Sequence, residues 1–180
     1  MTAVGRAALQ HVAKPIARGL FERNRRGGQT HLVVVACENV RDNTAYLTDF
    51  IRQLMGSENW DAIRDSVSFP NCIVDRIVPN SRPESDHPLA TIVEDYFQFV
   101  VDESQLQKEF PPVAGVEIVP NVSAKLDRKL FTLNMAHGIV GYYGMFRGHH
   151  YGHEAIADAD ILELVTGALG EVEDVLVEMH

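Results

Sequence analysis

The sequence predicts an α/β fold that is followed by a largely helical part. The apolar residues of 6–25 recur at helical spacing, and an unbroken apolar run at 31–37 is typical of a strand buried on both faces. A polar loop and a second amphipathic helix, over about 44–56, come next. Helix, buried strand, loop and helix is the order of a doubly wound α/β fold, in which ligands bind at the carboxyl ends of strands. The last third of the sequence predicts helices, over about 124–146 and 156–178.

Short strands and breaks are predicted between these two parts. The β-like stretches lie at 67–79, 90–101 and 116–119, and the proline-bearing breaks lie at 79–88 and 111–112. We therefore expect two domains. An α/β domain with a β-rich extension would occupy 1–120, and 121–180 would be the start of a helical domain.

Charge and hydropathy exclude several classes of protein. The 180 residues include 16 Lys and Arg against 25 Asp and Glu, a net charge of −9, which argues against nucleic-acid or anionic-membrane partners. No apolar run approaches the roughly 20 residues that cross a bilayer, and the first residues lack the apolar core of an export signal. Cys37 and Cys72 both lie in apolar, strand-like runs. We expect a cytoplasmic protein with two buried, reduced thiols.

Three polar residues fall on one side of the first helix of the helical part. Residues 125–143 are apolar nearly all round, which predicts a buried helix. At about 100° per residue, Lys129, Asn134 and His137 share one arc of about 140°. They span about 12 Å of helix axis, too long for one metal ion but suited to an elongated polar ligand. A buried lysine is suited to general-base catalysis, because burial disfavours the charged ammonium.

Each of these residues also has a purely structural interpretation. Asn134 and His137 could bond to neighbouring backbone while Lys129 extends to the surface. The histidines of 148–153 are read as a polar turn rather than a metal site, because glycines interrupt them. Asn43 is expected to cap a helix. Two arginines could bind a phosphate; the alternatives are a core ion pair for Arg76 and a solvated side chain for Arg147.

Three motifs occur in order along the chain: Ala36-Cys-Glu-Asn39, residues 69–79 with Val74-Asp75-Arg76 at their centre, and Lys129-x4-Asn134-x2-His137. Together they resemble the signatures of the mannitol dehydrogenase family, the polyol-specific long-chain dehydrogenases. The residues of these motifs are most similar to those of the mannitol-1-phosphate 5-dehydrogenase branch of that family.

The resemblance implies the C-terminal part of a Rossmann-type NAD-binding domain, followed by the start of a helical substrate domain. The implied reaction is a metal-free, NAD-dependent interconversion of mannitol 1-phosphate and fructose 6-phosphate. By family analogy Lys129 is the general base, Asn134 and Asn39 donate hydrogen bonds to the developing alkoxide, and His137 binds a neighbouring substrate hydroxyl. The substrate-binding positions would be Val74, Asp75 and Arg76, and the cofactor-binding positions Val4, Gly5 and Asn39.

The sequence also departs from the family pattern. Members carry a Gly-x-Gly-x-x-Gly loop ahead of this region and a longer helical domain behind it, and neither occurs here. We therefore expect a chain truncated at both ends, with little or no activity alone and an uncovered apolar helix face that allows self-association. The alternatives are mannitol 2-dehydrogenase or hexuronate reductase activity, or a non-catalytic remnant.

Overall fold

The structure, a computed structural model, describes residues 6–28, 30–79 and 87–180. The predicted cofactor positions Val4 and Gly5 lie outside these residues. The chain divides into two compact units, the first ending at Val122 and the second running from Ser123 to His180. The first unit combines helices with short strands and the second is helical, so the predicted α/β plus α fold class is confirmed.

The first unit holds two helices and five short strands among its described residues. In chain order these are α1 (Arg6–Arg25), β1 (Leu32–Val33), α2 (Asn43–Asp61), β2 (Val67–Ser68), β3 (Cys72–Asp75), β4 (Gln98–Asp102) and β5 (Glu117–Val119). β1 and β2 pair in parallel. A second sheet has the order β3-β4-β5, in which β3 and β4 are antiparallel and β4 and β5 are parallel.

The core of the first unit lies between α1 and α2. Helical spacing places small and branched apolar side chains on the facing sides of both helices, where they are removed from water. The buried members are Leu9, Ala13, Ala17 and Leu20 of α1 and Leu47, Ile51 and Met55 of α2. Gly56 then interrupts α2 with φ 72° and ψ 168°, a conformation that glycine adopts without steric cost. The helix predicted to end near 56 therefore breaks there and resumes to Asp61.

The strand predicted at 31–37 is much shorter than expected. Leu32 and Val33 pair with β2, and the Val34 N–H adds one bond to the Ser68 carbonyl at 2.9 Å. A strand buried on both faces needs partners on both edges. Within the described residues β1 has β2 alone as a partner, and Leu32 is 37% exposed. The prediction of a fully covered strand is therefore wrong for this stretch.

The second unit is built from consecutive helical elements. They are α3 (Ser123–Arg128), a π-helical segment (Lys129–Asn134), α4 (Met135–Phe146), α5 (Gly152–Ile156) and α6 (Ala159–Met179). Ala155, Ile161 and Val165 form its buried core, against which Ile139 and Val140 of α4 pack. At Gly144 an added Cβ would lie 2.6 Å from the Cβ of Ala155, so α4 and α5 approach more closely than any larger residue allows.

The prediction of a helix buried all round is wrong for α4. One of its faces packs on α5 and α6, while Tyr142 and Phe146 are 75% and 84% exposed. α6 likewise exposes Val177, on the apolar face from which the sequence predicts self-association, and that association stays a prediction. Throughout 6–28, 30–79 and 87–180, each helix is too short or too polar to span a lipid bilayer.

Candidate functional site

Asn39 lies in the loop that joins β1 to α2. Its side chain is exposed, at the carboxyl end of a parallel strand, which is where ligands approach open α/β sheets. At the end of the same loop Asp42 has φ 56°, a left-handed conformation that aspartate tolerates better than most residues. The loop therefore turns sharply into α2 and leaves Asn39 at its outer side.

Asn43 joins this loop to β3. The residue is 1% exposed, and its Nδ2 donates to the carbonyl oxygens of Glu38 at 2.9 Å and Cys72 at 2.8 Å. Its Oδ1 accepts from the Cys72 N–H at 3.1 Å. Asp42 rather than Asn43 occupies the N-cap position of α2, but the Asp42 side chain makes no capping bond, and Asn43 Oδ1 accepts from the Thr44 N–H at 2.8 Å. The Asn43 side chain therefore satisfies one N–H at the start of the helix as well as buried backbone groups of two other segments.

Asn71 satisfies the N-terminus of α2 from outside the helix. Its Oδ1 accepts hydrogen bonds from the Thr44 and Ala45 N–H groups at 3.1 and 3.0 Å. These N–H groups lack partners within a helix and would otherwise be available to an anion. They are used inside the protein here, so this helix end does not offer them to a phosphate. Asn71 is not among the residues predicted from the sequence. The available sign was an asparagine inside an apolar run, because a buried amide must find partners.

The predicted substrate positions lie at the end of β3. Val74 and Asp75 are half-buried, and Arg76 follows on the exposed side. The Arg76 guanidinium donates to the Glu94 carbonyl oxygen at 3.1 and 3.0 Å and lies over the Phe97 ring, 5.4 Å from its centroid. Arg76 is thus exposed and bonded to a backbone carbonyl, and it is not in the core ion pair considered for it.

Two of the three signatures therefore lie side by side in the first unit. Asn43 bonds Glu38 of the first signature and Cys72 of the second through one amide nitrogen. The Cys72 thiol adds a donation to the Ala36 carbonyl oxygen at 3.4 Å.

The third signature occupies the π-helical segment of the second unit. The π-helical hydrogen-bond pattern is seen at Met135, whose N–H donates to the Leu130 carbonyl oxygen five residues earlier. The Thr132 hydroxyl donates to the Arg128 carbonyl oxygen at 2.6 Å, where a regular helix would place a backbone N–H. π segments of this kind are rare and occur frequently at functional sites.

The π segment corrects the predicted geometry of the three polar residues. In the π segment, backbone hydrogen bonds join residues i and i+5, so Lys129 and Asn134 lie nearly one above the other along the helix. The angle between their directions is therefore smaller than the uniform α-helical spacing of about 100° per residue predicted. His137 follows Asn134 by three residues of regular helix and shares its face. Lys129 is 7% exposed, Asn134 is half-buried and His137 is exposed. Lys129 therefore does not extend into bulk water.

Arg147, the other candidate for a phosphate, pairs with carboxylates of its own unit. Its guanidinium contacts Asp160 at 2.9 Å and Asp158 at 3.4 Å. His149 also bonds Asp158 at 3.2 Å, and this bond is the main reason that the pKa of the Asp158 carboxyl lies below its ordinary value.

A turn at Gly148, with φ 85°, precedes α5. Among the described residues, no three His, Cys, Asp or Glu side chains gather into a metal site.

Cys37 and Cys72 are both free thiols, and the Cys72 sulfur lies 3.4 Å from the carbonyl oxygen of Ala36, the residue before Cys37. Cys72 is 3% exposed and Cys37 is half-buried. The hydrogen bond from Cys72 lowers the pKa of the Cys37 thiol to about 7, although burial and the nearby Glu38 carboxylate act in the opposite direction.

Comparison with known proteins agrees with this arrangement of motifs. The mannitol dehydrogenase Rossmann domain matches residues 1–115, and the mannitol dehydrogenase C-terminal domain matches residues 121–180. A crystal structure of D-sorbitol dehydrogenase in substrate-free form superposes with a TM-score of 0.72 and 26% identity, covering 86% of this chain and 35% of that one.

A second solved structure gives the same fold at lower identity. The Pseudomonas fluorescens mannitol 2-dehydrogenase ternary complex with NAD and D-mannitol superposes with a TM-score of 0.65 and 22% identity, over 86% of this chain and 38% of that one. The chain thus spans 35% and 38% of the two solved structures. The domain matches cover nearly all of its length and confirm the predicted family. The chain belongs to the mannitol dehydrogenase family.

Proposed function

We propose that this chain forms part of an NAD-dependent dehydrogenase that oxidises a secondary alcohol of a polyol, with Lys129 as the general base. The observation that carries the proposal is the burial of Lys129 within the π segment, with Asn134 one π turn later on the same side. A lysine held away from water next to an amide donor is suited to proton removal from an alcohol.

The side chains then have separate tasks. Lys129 as the general base accepts the proton of the substrate hydroxyl, and the Asn134 amide donates a hydrogen bond to the oxygen as negative charge develops on it. Asn39 supplies a second amide donor, and His137 binds a neighbouring hydroxyl of the polyol. NAD, when bound, accepts the hydride. The exposed position of Asn39 at the end of β1 fits a residue that faces cofactor and substrate.

The identity of the polyol has two candidates. The residues of the three signatures favour the mannitol 1-phosphate and fructose 6-phosphate pair. Val74, Asp75 and Arg76 would then be the substrate-binding residues. A free hexitol is the second candidate, because both arginines considered for a phosphate have partners inside the protein: Arg76 bonds the Glu94 carbonyl and Arg147 pairs with Asp160.

The base assignment is tested by Lys129→Met, which keeps the length of the side chain and removes its amine. We expect kcat/KM for polyol oxidation to fall by about 10² to 10⁴. Lys125→Met, one helical turn earlier in α3, is the matched control and retains activity. Activity of the Lys129→Met protein within threefold of wild type would exclude Lys129 as the base.

The substrate is tested by comparing mannitol 1-phosphate with mannitol and sorbitol under NAD saturation. A higher kcat/KM for the phosphorylated substrate supports the first candidate, and the reverse order supports the second. NADH fluorescence titration runs in parallel. No binding of NADH and no turnover of any hexitol, both by the chain alone and together with a candidate N-terminal partner, would contradict the enzyme proposal and favour a non-catalytic remnant.

A further inference from the structure

Cys37 and Cys72 are nucleophilic groups that the proposed dehydrogenase chemistry does not use. Cys37 lies in the loop that carries Asn39, and Cys72 is the first residue of β3. They are 35 positions apart in sequence, yet the Cys72 sulfur lies 3.4 Å from the carbonyl oxygen of Ala36, the residue that precedes Cys37. These are the two cysteines of the sequence, so a pairing between them has no intramolecular competitor.

Neighbouring contacts fix the position of the Cys72 sulfur. The Cys72 thiol donates to the carbonyl oxygen of Ala36 at 3.4 Å, and Ala36 is the residue before Cys37 in the chain. The Asn43 side-chain amide donates to the Cys72 sulfur at 3.6 Å. The Asn43 bonds to the Cys72 backbone hold β3 against the loop. The Cys72 sulfur is therefore held beside the loop by a buried, hydrogen-bonded framework.

We propose that Cys37 and Cys72 form a paired oxidation site, at which a peroxide converts the two thiols into an intramolecular disulfide. Cys37 is the residue attacked first, because it is half-buried while Cys72 is 3% exposed. Cys72 is the resolving thiol, since its sulfur is held against the carbonyl group of Ala36, next to Cys37 in the chain.

The chemistry balances as follows. The Cys37 thiolate attacks one oxygen of hydrogen peroxide; the O–O bond breaks, hydroxide leaves and takes up the proton that Cys37 released, and Cys37 becomes a sulfenic acid. The Cys72 sulfur then attacks the Cys37 sulfur, the S–S bond forms, the S–O bond breaks, and water leaves with the Cys72 proton. Two thiols are oxidised by two electrons in total, and one peroxide is reduced to two waters.

The disulfide would replace hydrogen bonds by a covalent link between the loop and β3. Asn39 lies two residues beyond the link, so the oxidised chain would hold that loop more rigidly against the strand. The site is independent of the proposed dehydrogenase function, because neither thiol is assigned a part in it.

The test uses the reduced 180-residue chain and a small excess of hydrogen peroxide, followed by denaturation, alkylation with iodoacetamide and mass spectrometry. We expect a product that has lost two hydrogens, resists alkylation and yields one linked pair of peptides containing Cys37 and Cys72. Dithiothreitol should restore two alkylatable thiols.

Two variants separate the roles of the cysteines. Cys37→Ser should leave Cys72 alkylatable after peroxide, and Cys72→Ala should accumulate a sulfenic acid on Cys37 that dimedone labels. If the buried Cys72→Ala substitution prevents folding, the wild-type result decides. Two thiols that stay alkylatable, oxygen addition to Cys37 without a link to Cys72, or a disulfide between two chains on a non-reducing gel would each overturn the proposal.

Discussion

Asn43 and Cys72, 29 residues apart in sequence, exchange a pair of hydrogen bonds through one carboxamide and one backbone unit. Asn43 Nδ2 donates to the Cys72 carbonyl oxygen at 2.8 Å, and Asn43 Oδ1 accepts from the Cys72 N–H at 3.1 Å. The side chain thereby acts as a short strand partner for β3. The Asn39 loop and the Val74-Asp75-Arg76 stretch keep a fixed separation because this amide joins them.

Replacing Asn43 by alanine should therefore destabilise the first unit. The Cys72 N–H and carbonyl groups and the Glu38 carbonyl would lose partners in a buried place, which costs about 2–4 kcal/mol of unfolding free energy. Urea unfolding followed by circular dichroism measures it. The exposed Asn24→Ala is the matched control and should change stability by less than about 0.5 kcal/mol. Equal effects of the two substitutions would contradict the role of Asn43.

Asn71 gives a second prediction about the same region. Asn71→Ala removes the side-chain acceptor of the Ala45 N–H and one of the two acceptors of the Thr44 N–H, and it should cost about 1–2 kcal/mol, as the loss of a helix cap does. Asn71→Asp keeps that oxygen and places a negative charge at the helix N-terminus. In urea unfolding the aspartate variant should be the more stable of the two. The reverse order would show that Asn71 does not act through its side-chain oxygen.

Much of the fold follows from local sequence patterns. The spacing of Leu9, Ala13 and Leu20 predicted α1, and the same reasoning located both long helices of the second unit. The extent of β1 was not predictable from its apolar run, because the number of neighbouring strands decides how far a strand extends. The break at Gly56 was missed as well, since a glycine within a helical pattern is compatible with continuation or interruption.

The Cys37 thiol should react at neutral pH. The hydrogen bond from Cys72 favours its thiolate and lowers its pKa to about 7 from an ordinary 9.0. The rate of iodoacetamide alkylation should thus rise with pH and reach half its maximum near pH 7. In Cys72→Ala the midpoint should move upward. A wild-type midpoint near 9 would show that the thiol contact does not stabilise the thiolate.

Asp158 should make the stability of the second unit sensitive to acid. Its pKa lies below the ordinary 3.8, chiefly because His149 bonds it, and its carboxylate also accepts from the Asp160 N–H at the start of α6. A depressed carboxyl pKa contributes stability above the ordinary value that is lost as pH falls through the folded-state value. Asp158→Ala should therefore lower the thermal midpoint at pH 7, with the difference shrinking below about pH 4. The exposed Asp174→Ala serves as control, and a difference constant with pH would exclude this linkage.

The close contact between α4 and α5 predicts a contrast between two glycines. Gly144→Ala would place a Cβ 2.6 Å from that of Ala155 and should cost about 1–3 kcal/mol. At Gly141, three residues earlier in α4, nothing lies within 4 Å of an added Cβ. Gly141→Ala should be neutral or stabilise by up to about 1 kcal/mol. Thermal unfolding compares the two, and similar midpoints would contradict the contact.

The candidate site was only partly predictable. The residue types of Lys129, Asn134 and His137 indicated a shared face, but their directions rested on a regular helix. A π segment depends on which carbonyl each N–H selects, and the Thr132 hydroxyl that occupies the Arg128 carbonyl leaves little trace in a hydrophobic pattern. Asn43 bonds Cys72, and Asn71 bonds Thr44 and Ala45, over separations of 26 to 29 residues, beyond the range of any local pattern.

The π segment sets the relative direction of Lys129 and Asn134 without changing how the helices around it pack. One turn there holds one residue more than an α turn, so deleting a single residue between Lys129 and Asn134 would restore an ordinary helix without rotating Ile139 and Val140 away from their neighbours. The extra residue of this turn brings the Lys129 amine and the Asn134 carboxamide onto one side of the helix. Change at this turn therefore leaves the bundle that supports it intact.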